Sequence, residues 1–333
     1  MLSEAGMGAR LRLLLFREGR VLALLFALLV IGLALTQPNF LSGNNVVNVL
    51  RSSAFLVIAA SAQMLALVVG GIDLSIGAVI ALTSVVSASV MAGLPALGVH
   101  ATAAIVALGV GSGFGCGLAV GLVNGLCVAV LRVPAFMTTL GTLSIANGIG
   151  LLLTNGIPAY GMPDKYVAVL GRAIIGGLPI ALYFAAVVVL LLWLAIRFTR
   201  FGRYIYATGG NLQAAMVSGI PTVRMLVLAY VLSSLLGSLT GLLLTAEIGS
   251  GQATTGEALM LESLAAAVLA GVSLRGGIGR IELVALAAIF LLTLTNAMDL
   301  MRVDTRLQLI VLGLVLALAV SAETLNQREP VRV

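Results

Sequence analysis

The chain is poor in charge. Asp, Glu, Lys and Arg make up 9% of its 333 residues, while 61% are hydrophobic. A soluble domain carries about 25% charged residues. So few charges cannot cover a globule this apolar, which excludes a soluble enzyme, a nucleic-acid-binding protein and a disordered chain. The single lysine, Lys165, does not follow a glycine. There is thus no GxxxxGK[ST] phosphate loop, and ATP cannot be held in that manner. The one histidine, His100, and the two cysteines, Cys116 and Cys127, show no metal-ligand spacing. The cysteines lie roughly 16 Å apart along one expected helix, too far for a disulfide. They read as small buried hydrophobes. Carboxylates near apolar runs are Asp73, Glu247, Glu262 and Glu282; all but Glu262 fall at the ends of expected spans, and Glu262 lies about one turn into the eighth. No nucleophile with an obvious base is present, so no catalytic residue is assigned.

What remains is continuous apolar sequence in runs about as long as the ~20 residues that cross a bilayer. A β-barrel would alternate polar and apolar residues instead. Ten spans are expected, near 21–37, 53–70, 75–93, 100–131, 134–154, 179–198, 225–246, 259–275, 281–298 and 306–322. The fourth is long enough to need a bend or an extension past the membrane. The fold class is an all-α polytopic helix bundle, with 1–333 as one transmembrane domain. The first run is too long for a signal peptide core and reads as a retained span. With the N-terminus (1–20) inside, an even span count returns the tail (323–333) to the cytoplasm. Thirteen of the 18 basic residues then fall inside, and five (Arg51, Lys165, Arg172, Arg302 and Arg306) outside. This asymmetry follows the positive-inside rule.

Glycine is abundant, at 39 residues. Gly113, Gly117, Gly121 and Gly125 recur every four residues, so one helix face carries no side chains. Close packing against another helix is the first reading of that face, and a sliding or pathway face is the alternative. In Gly70–Ser75 two glycines break a helix, after which Asp73 or Ser75 can cap the next one. The loop over 199–224 holds a second signal. Asn211 suits an N-cap, Gly219 a left-handed stop, and Pro221 blocks continuation. A helix of about two turns results, expected to carry Leu212, Ala215 and Met216 on one side. It is too short to be stable alone and must dock on its own bundle or on a soluble partner.

Five stretches, in order, resemble a known family: GGIDLSIG at Gly70–Gly77, GLVNG at Gly121–Gly125, PAFMTTLGT at Pro134–Thr142, GGNLQAAMVSGI at Gly209–Ile220 and SLRGGIG at Ser273–Gly279. They are similar to permeases of bacterial ABC sugar importers of the ribose/xylose/arabinose type, the second class of carbohydrate uptake transporters. The resemblance implies about ten helices per subunit in the inner membrane and a second permease subunit, identical or different. It also implies a cytoplasmic ABC ATPase that binds ATP and Mg, and a periplasmic or lipid-anchored sugar-binding protein. Neither a metal, a cofactor nor nucleic acid is expected on this chain. The short helix becomes the ATPase-coupling element, with Gly202, Arg203, Gly210, Asn211, Ala214, Ala215, Ser218 and Gly219. Helix position nominates Asp73, Ser75, Ser84, Asn124, Thr138, Thr139, Ser144 and Asn147 for the translocation pathway. Departures from the family pattern stand at Met260-Leu261, Ala270, Val272, Arg280–Leu283 and Asn147. Rival cargoes are branched-chain amino acids, nucleosides or a signalling sugar. The rival class is an ion-coupled secondary carrier.

Overall fold

Lipid gives backbone N–H and C=O groups no partner, so each apolar run satisfies its own by becoming a helix. A computed structural model describes residues 20–328. Apart from short helical turns at Leu94–Leu97, Asp164–Tyr166 and Val167–Gly171, its helices are α1 (Arg20–Thr36), α2 (Gly43–Val68), α3 (Ile76–Gly93), α4 (Thr102–Ala129), α5 (Ala135–Thr154) and α6 (Ile180–Phe198). They continue as α7 (Arg200–Gly210), α8 (Leu212–Val217), α9 (Thr222–Ile248), α10 (Glu257–Leu269), α11 (Ile281–Leu300) and α12 (Thr305–Arg328). A two-residue hairpin, Ile174–Ile175 with Leu178–Pro179, is the one sheet among the described residues.

Seven helical stretches among the described residues are long and apolar enough to cross a bilayer: α2, α3 with its extension to Leu97, α4, α5, α6, α9 and α11. Val21–Thr36 and Thr305–Leu318 are shorter apolar helices. The expected segments at 1–19 and 329–333 lie outside the described residues. The fourth expected span is one unbroken 28-residue helix. The second begins at Gly43, ten residues before its expected start at 53. Its polar first turns look like a loop in sequence, yet they have helix partners. Asn45 and Asn296 of α11 exchange amide hydrogen bonds of 3.0 and 2.9 Å, and Arg51 pairs with Glu247 of α9 at 3.1 Å.

The core is built on α2 and α9. Every α2 residue from Ser53 to Val68 is buried, and α2 packs on α9, α10, α11 and α6. The α4 glycine stripe is a packing face. A Cβ on Gly121 would lie 2.7 Å from the Val231 Cα, and one on Gly125 2.8 Å from the Val227 Cα. Gly109 extends the stripe onto Met91 of α3.

The eighth expected span is a broken crossing. After α9 the chain turns back along α3: Gly251 packs on Ser84 and Ala88, and Gly256 on Gly77. These α3 contacts are eleven residues apart, roughly 16 Å along the helix. Non-helical chain, a bridge at Gly251 followed by turns over 253–256, thus covers part of the depth, and the 13-residue α10 covers the rest. The non-helical part survives because protein satisfies it. Gly251 exchanges two backbone bonds of 2.8 Å with Ala159, and the Gln252 N–H donates to Ser84 Oγ at 3.2 Å.

Candidate functional site

Helix α8 forms as its sequence dictates. The Asn211 side chain accepts from the Ala214 N–H at 2.9 Å. At the other end Gly219 has φ +77°, its N–H donates to Met216 O, and the Ile220 N–H donates to Ala215 O. This is a Schellman closure, which needs the left-handed residue that glycine supplies without strain. The expected apolar side is corrected in one respect. Ala215 is 4% exposed and faces the chain's own bundle, whereas Leu212 and Met216 are each 42% and Val217 90% exposed. Val217 is therefore the outermost side chain and Ala215 the inward anchor, with Leu212 and Met216 between them, partly exposed at the edge of a cavity. Ala214 and Ser218 are exposed, Arg203 projects from α7, and Gly202 is buried against Ile196.

Three loops meet behind α8, backbone on backbone. Gly209 packs on the Val68 carbonyl at the end of α2. The Gly277 N–H donates to that same carbonyl at 2.9 Å. A Cβ on Gly276 would lie 2.7 Å from Gly209 O and 2.9 Å from Gly70 Cα, and one on Gly277 2.6 Å from Gly210 Cα. No side chain fits between these strands of backbone. Tyr206 of α7 strengthens the joint, donating to Gly279 O at 2.6 Å. Burial is the main reason its phenol is pushed up to about 12; Glu282 adds to the shift and Arg280 opposes it.

From Gly70 the chain runs directly into a buried polar network. Asp73 is 1% exposed. Its Oδ1 accepts from the Ser75 N–H at 3.0 Å and the Ser75 hydroxyl at 2.6 Å, and its Oδ2 from Ser233 of α9 at 2.9 Å. Asn124 of α4 donates to Ser75 Oγ at 2.8 Å and accepts from Thr142 of α5 at 2.8 Å. The expected helix cap is thus corrected: neither Asp73 nor Ser75 accepts a first-turn N–H of α3, and the serine hydroxyl instead donates to Asp73 and accepts from Asn124. The network instead ties α3, α4, α5 and α9 together.

The nominated pathway residues divide. Asp73, Ser75 and Asn124 meet in this network. Ser84 is buried elsewhere, accepting from Thr245 at 2.7 Å. Thr139 is buried and donates to Ala135 O and Ile72 O, and the Thr138 hydroxyl is buried without a partner. Ser144 is exposed and Asn147 half-buried, both on the outward side of α5. Sequence reasoning missed Ser233, Thr142 and Gln63. Ser233 and Thr142 give no local signal, since their partners are 160 and 18 residues away. Gln63 is a lone amide in an apolar run, buried with neither amide atom hydrogen-bonded, a costly arrangement visible in sequence only as an oddity. Among the described residues no group of three or more His, Cys, Asp or Glu could hold a metal ion.

A cavity of about 710 Å3 opens beside α8. Its walls come from the Gly70-Gly71 loop, the turn between α4 and α5, α8 itself and the start of α9.

Residues 45–320 match the family described as branched-chain amino acid transport system / permease component. The ribose import permease protein RbsC of Bacillus subtilis (strain 168) is 36% identical over 294 residues, covering 88% of each chain. The protein of that name in Escherichia coli (strain K12) is 35% identical over 316 residues, 94% of this chain and 95% of its own. The L-arabinose transport system permease protein AraH of Escherichia coli (strain K12) is 33% identical over 318 residues, covering 94% of each. No solved structure matches the chain.

Proposed function

The chain belongs to the branched-chain amino acid transport system / permease component family, and from that premise we propose that it is the multi-pass permease subunit of an ATP-driven importer carrying a ribose- or xylose-like monosaccharide into the cytoplasm. The observation that carries the reading is α8. It is a capped helix of six residues, too short to persist alone, anchored inward by Ala215 and offering an apolar face outward. Such a face fits a groove of a soluble protein. With no phosphate loop in the sequence, that protein is the motor: a cytoplasmic ATPase that binds ATP and Mg. A periplasmic or lipid-anchored binding protein captures the sugar, and a second permease subunit completes the pathway. Both termini and the 199–224 loop lie inside, in agreement with the arginine distribution.

The motor moves the bundle only by gripping one of its states better than the other. The glycine joint gives α8 a short mechanical route inward, since Gly209 touches Val68 and Gly70, where the loop leading to Asp73 begins, and Gly210 touches Gly277. A monosaccharide is favoured as cargo by the relatives named for ribose and L-arabinose. The uncharged outward side of α5 agrees with a neutral solute.

The deciding experiment is reconstitution. Proteoliposomes containing this chain, its ATPase and its second permease, with binding protein outside the transport face, should accumulate D-ribose or D-xylose only with ATP. Leucine in place of the pentose tests the cargo suggested by the family description. Uphill uptake by this chain alone under a proton or sodium gradient would overturn the assignment in favour of a secondary carrier.

A further inference from the structure

The cavity beside α8 has the makings of an anion site. It is lined by two arginines, Arg132 and Arg275, and by no acidic residue. Both arginines are exposed, and neither guanidinium has a hydrogen-bond or ion-pair partner among the described residues. Arg132 is one of three non-glycine residues with positive φ among the described residues, at +57°, a backbone conformation rare for residues with a side chain. The tight turn it makes, Leu131 to Pro134, sets the start of α5 on the cavity wall.

Two long helices begin there. Pro134 and Ala135 of α5 and Thr222 and Val223 of α9 line the cavity. Each helix has a proline at its N-cap position and no side-chain cap. The first backbone N–H of α5 to find a carbonyl along the helix is that of Thr138, which donates to Pro134 O at 3.1 Å, so the earlier N–H groups are left for another acceptor. In α9 the Thr222 N–H is taken by Ile220 O at 2.8 Å, which leaves the N–H groups of Val223 and Arg224 before Met225 donates to Pro221 O; two N-termini without side-chain caps concentrate partial positive charge in one place.

A further observation points to a ligand independently. Tyr230 lines the same cavity, is 0% exposed, and its hydroxyl has no hydrogen-bond partner. The hydroxyl lies against Gly71, also a lining residue. Asp73, two residues on, does not line the cavity, and its oxygens are taken by Ser75 and Ser233.

We propose that this cavity binds a phosphate group, held by Arg132 and Arg275 against the uncapped starts of α5 and α9, with Tyr230 as a further donor. Phosphate is the chemistry that matches guanidinium forks and helix N-termini together. The volume of about 710 Å3 lies within the range of small-ligand pockets, about 300–1,000 Å3. It accommodates a phosphomonoester or the headgroup of an anionic lipid. Because Asn211, Leu212 and Met216 form one wall, an occupant bears directly on α8 and regulates how it can be gripped. The site does not depend on what the chain transports.

The test uses the purified full-length chain in phosphatidylcholine nanodiscs. Inorganic phosphate, then glycerol 3-phosphate, is titrated against chloride at matched ionic strength, with thermal unfolding and calorimetry as readouts. A parallel arm replaces part of the phosphatidylcholine with phosphatidylglycerol. Wild type is expected to show saturable stabilisation in one arm, the soluble arm identifying a soluble ester and the lipid arm a headgroup. The double variant Arg132→Ala, Arg275→Ala should bind about tenfold or more weakly, a loss of about 1.4 kcal/mol or more. Its unfolding temperature without ligand should match wild type, since both arginines are exposed. Tyr230→Phe, which keeps the ring, should weaken binding less. An absence of saturable response in both arms, or an equal response in the arginine variant, would overturn the proposal.

Discussion

Ala215 and Val217 stand two residues apart on α8 and face opposite ways, so they separate folding from partnership. Val217→Glu places a charge on the outward face without touching the chain's own core. It should abolish substrate-stimulated ATP hydrolysis by the assembled transporter while leaving membrane insertion and unfolding temperature at wild-type values. Ala215→Glu buries a carboxylate with no partner and should lower the unfolding temperature as well. A normal stimulated ATPase rate in Val217→Glu would remove α8 from the coupling role. Tyr206 supplies a pH signature. Its proton is held until about pH 12 in the folded chain, against about 10 when unfolded. Between those values the unfolded chain binds fewer protons, so stability is flat up to about pH 10 and falls as pH rises towards 12. Tyr206→Phe should lose the hydrogen bond to Gly279 and make that alkaline limb shallower by this group's share, as read by thermal unfolding across the range. At this scale the sequence is most legible where the partner is local. Asn211 and Gly219 reach only three or four residues along the chain, and both act as their residue types imply. Asp73 was visible as a candidate, but its engagement with Ser233 was not, because that contact exists only once α9 has packed.

Helices behave similarly: their existence is readable from hydropathy, and their company is not. Glycine spacing on α4 is an intermediate case, since one bare face every four residues implies a neighbouring backbone without identifying it. The neighbour is α9, and its closeness makes a paired prediction. Gly121→Leu forces atoms into the 2.7 Å gap to the Val231 Cα and should prevent a stable fold, appearing as loss of the monodisperse protein after extraction. Gly115→Ala, six residues earlier on the open face with nothing within 4 Å, should be neutral or stabilising by up to about 1 kcal/mol, the difference in helix propensity. Equal behaviour of the two variants would mean that α4 does not pack through its glycines. The crossing through 249–269 escaped sequence reading for a definite reason. Hydropathy counts apolar residues and cannot tell a helix from non-helical chain that borrows partners from Ser84 and Ala159. Likewise the polar start of α2 reads as loop until Asn296 and Glu247 are brought to it.

At the scale of the whole molecule, the exposed faces differ in composition, and that difference says where the proposed second subunit would sit. The outward side of α12 carries Leu307, Leu309, Ile310, Leu314 and Leu318, a surface suited to lipid. The outward side of α5 also exposes large apolar residues, Phe136, Met137, Ile145 and Leu152 among them, but it interleaves them with Gly141, Ser144 and Gly148, where α12 has the single glycine Gly313; these three glycines have nothing within 4 Å. Lipid tails give no reason to place small and polar residues there, whereas close helix approach or a water-lined passage does. We therefore expect α5 to face the second permease subunit. In a chain with Cys116 and Cys127 replaced by alanine, Gly148→Cys should form an oxidative cross-link to its neighbour in native membranes, and Leu314→Cys should not. A product of twice the chain's mass would identify self-pairing, and one of unequal partners a different permease. Cross-linking through Leu314→Cys with none through Gly148→Cys would move the contact to α12 and take the passage with it.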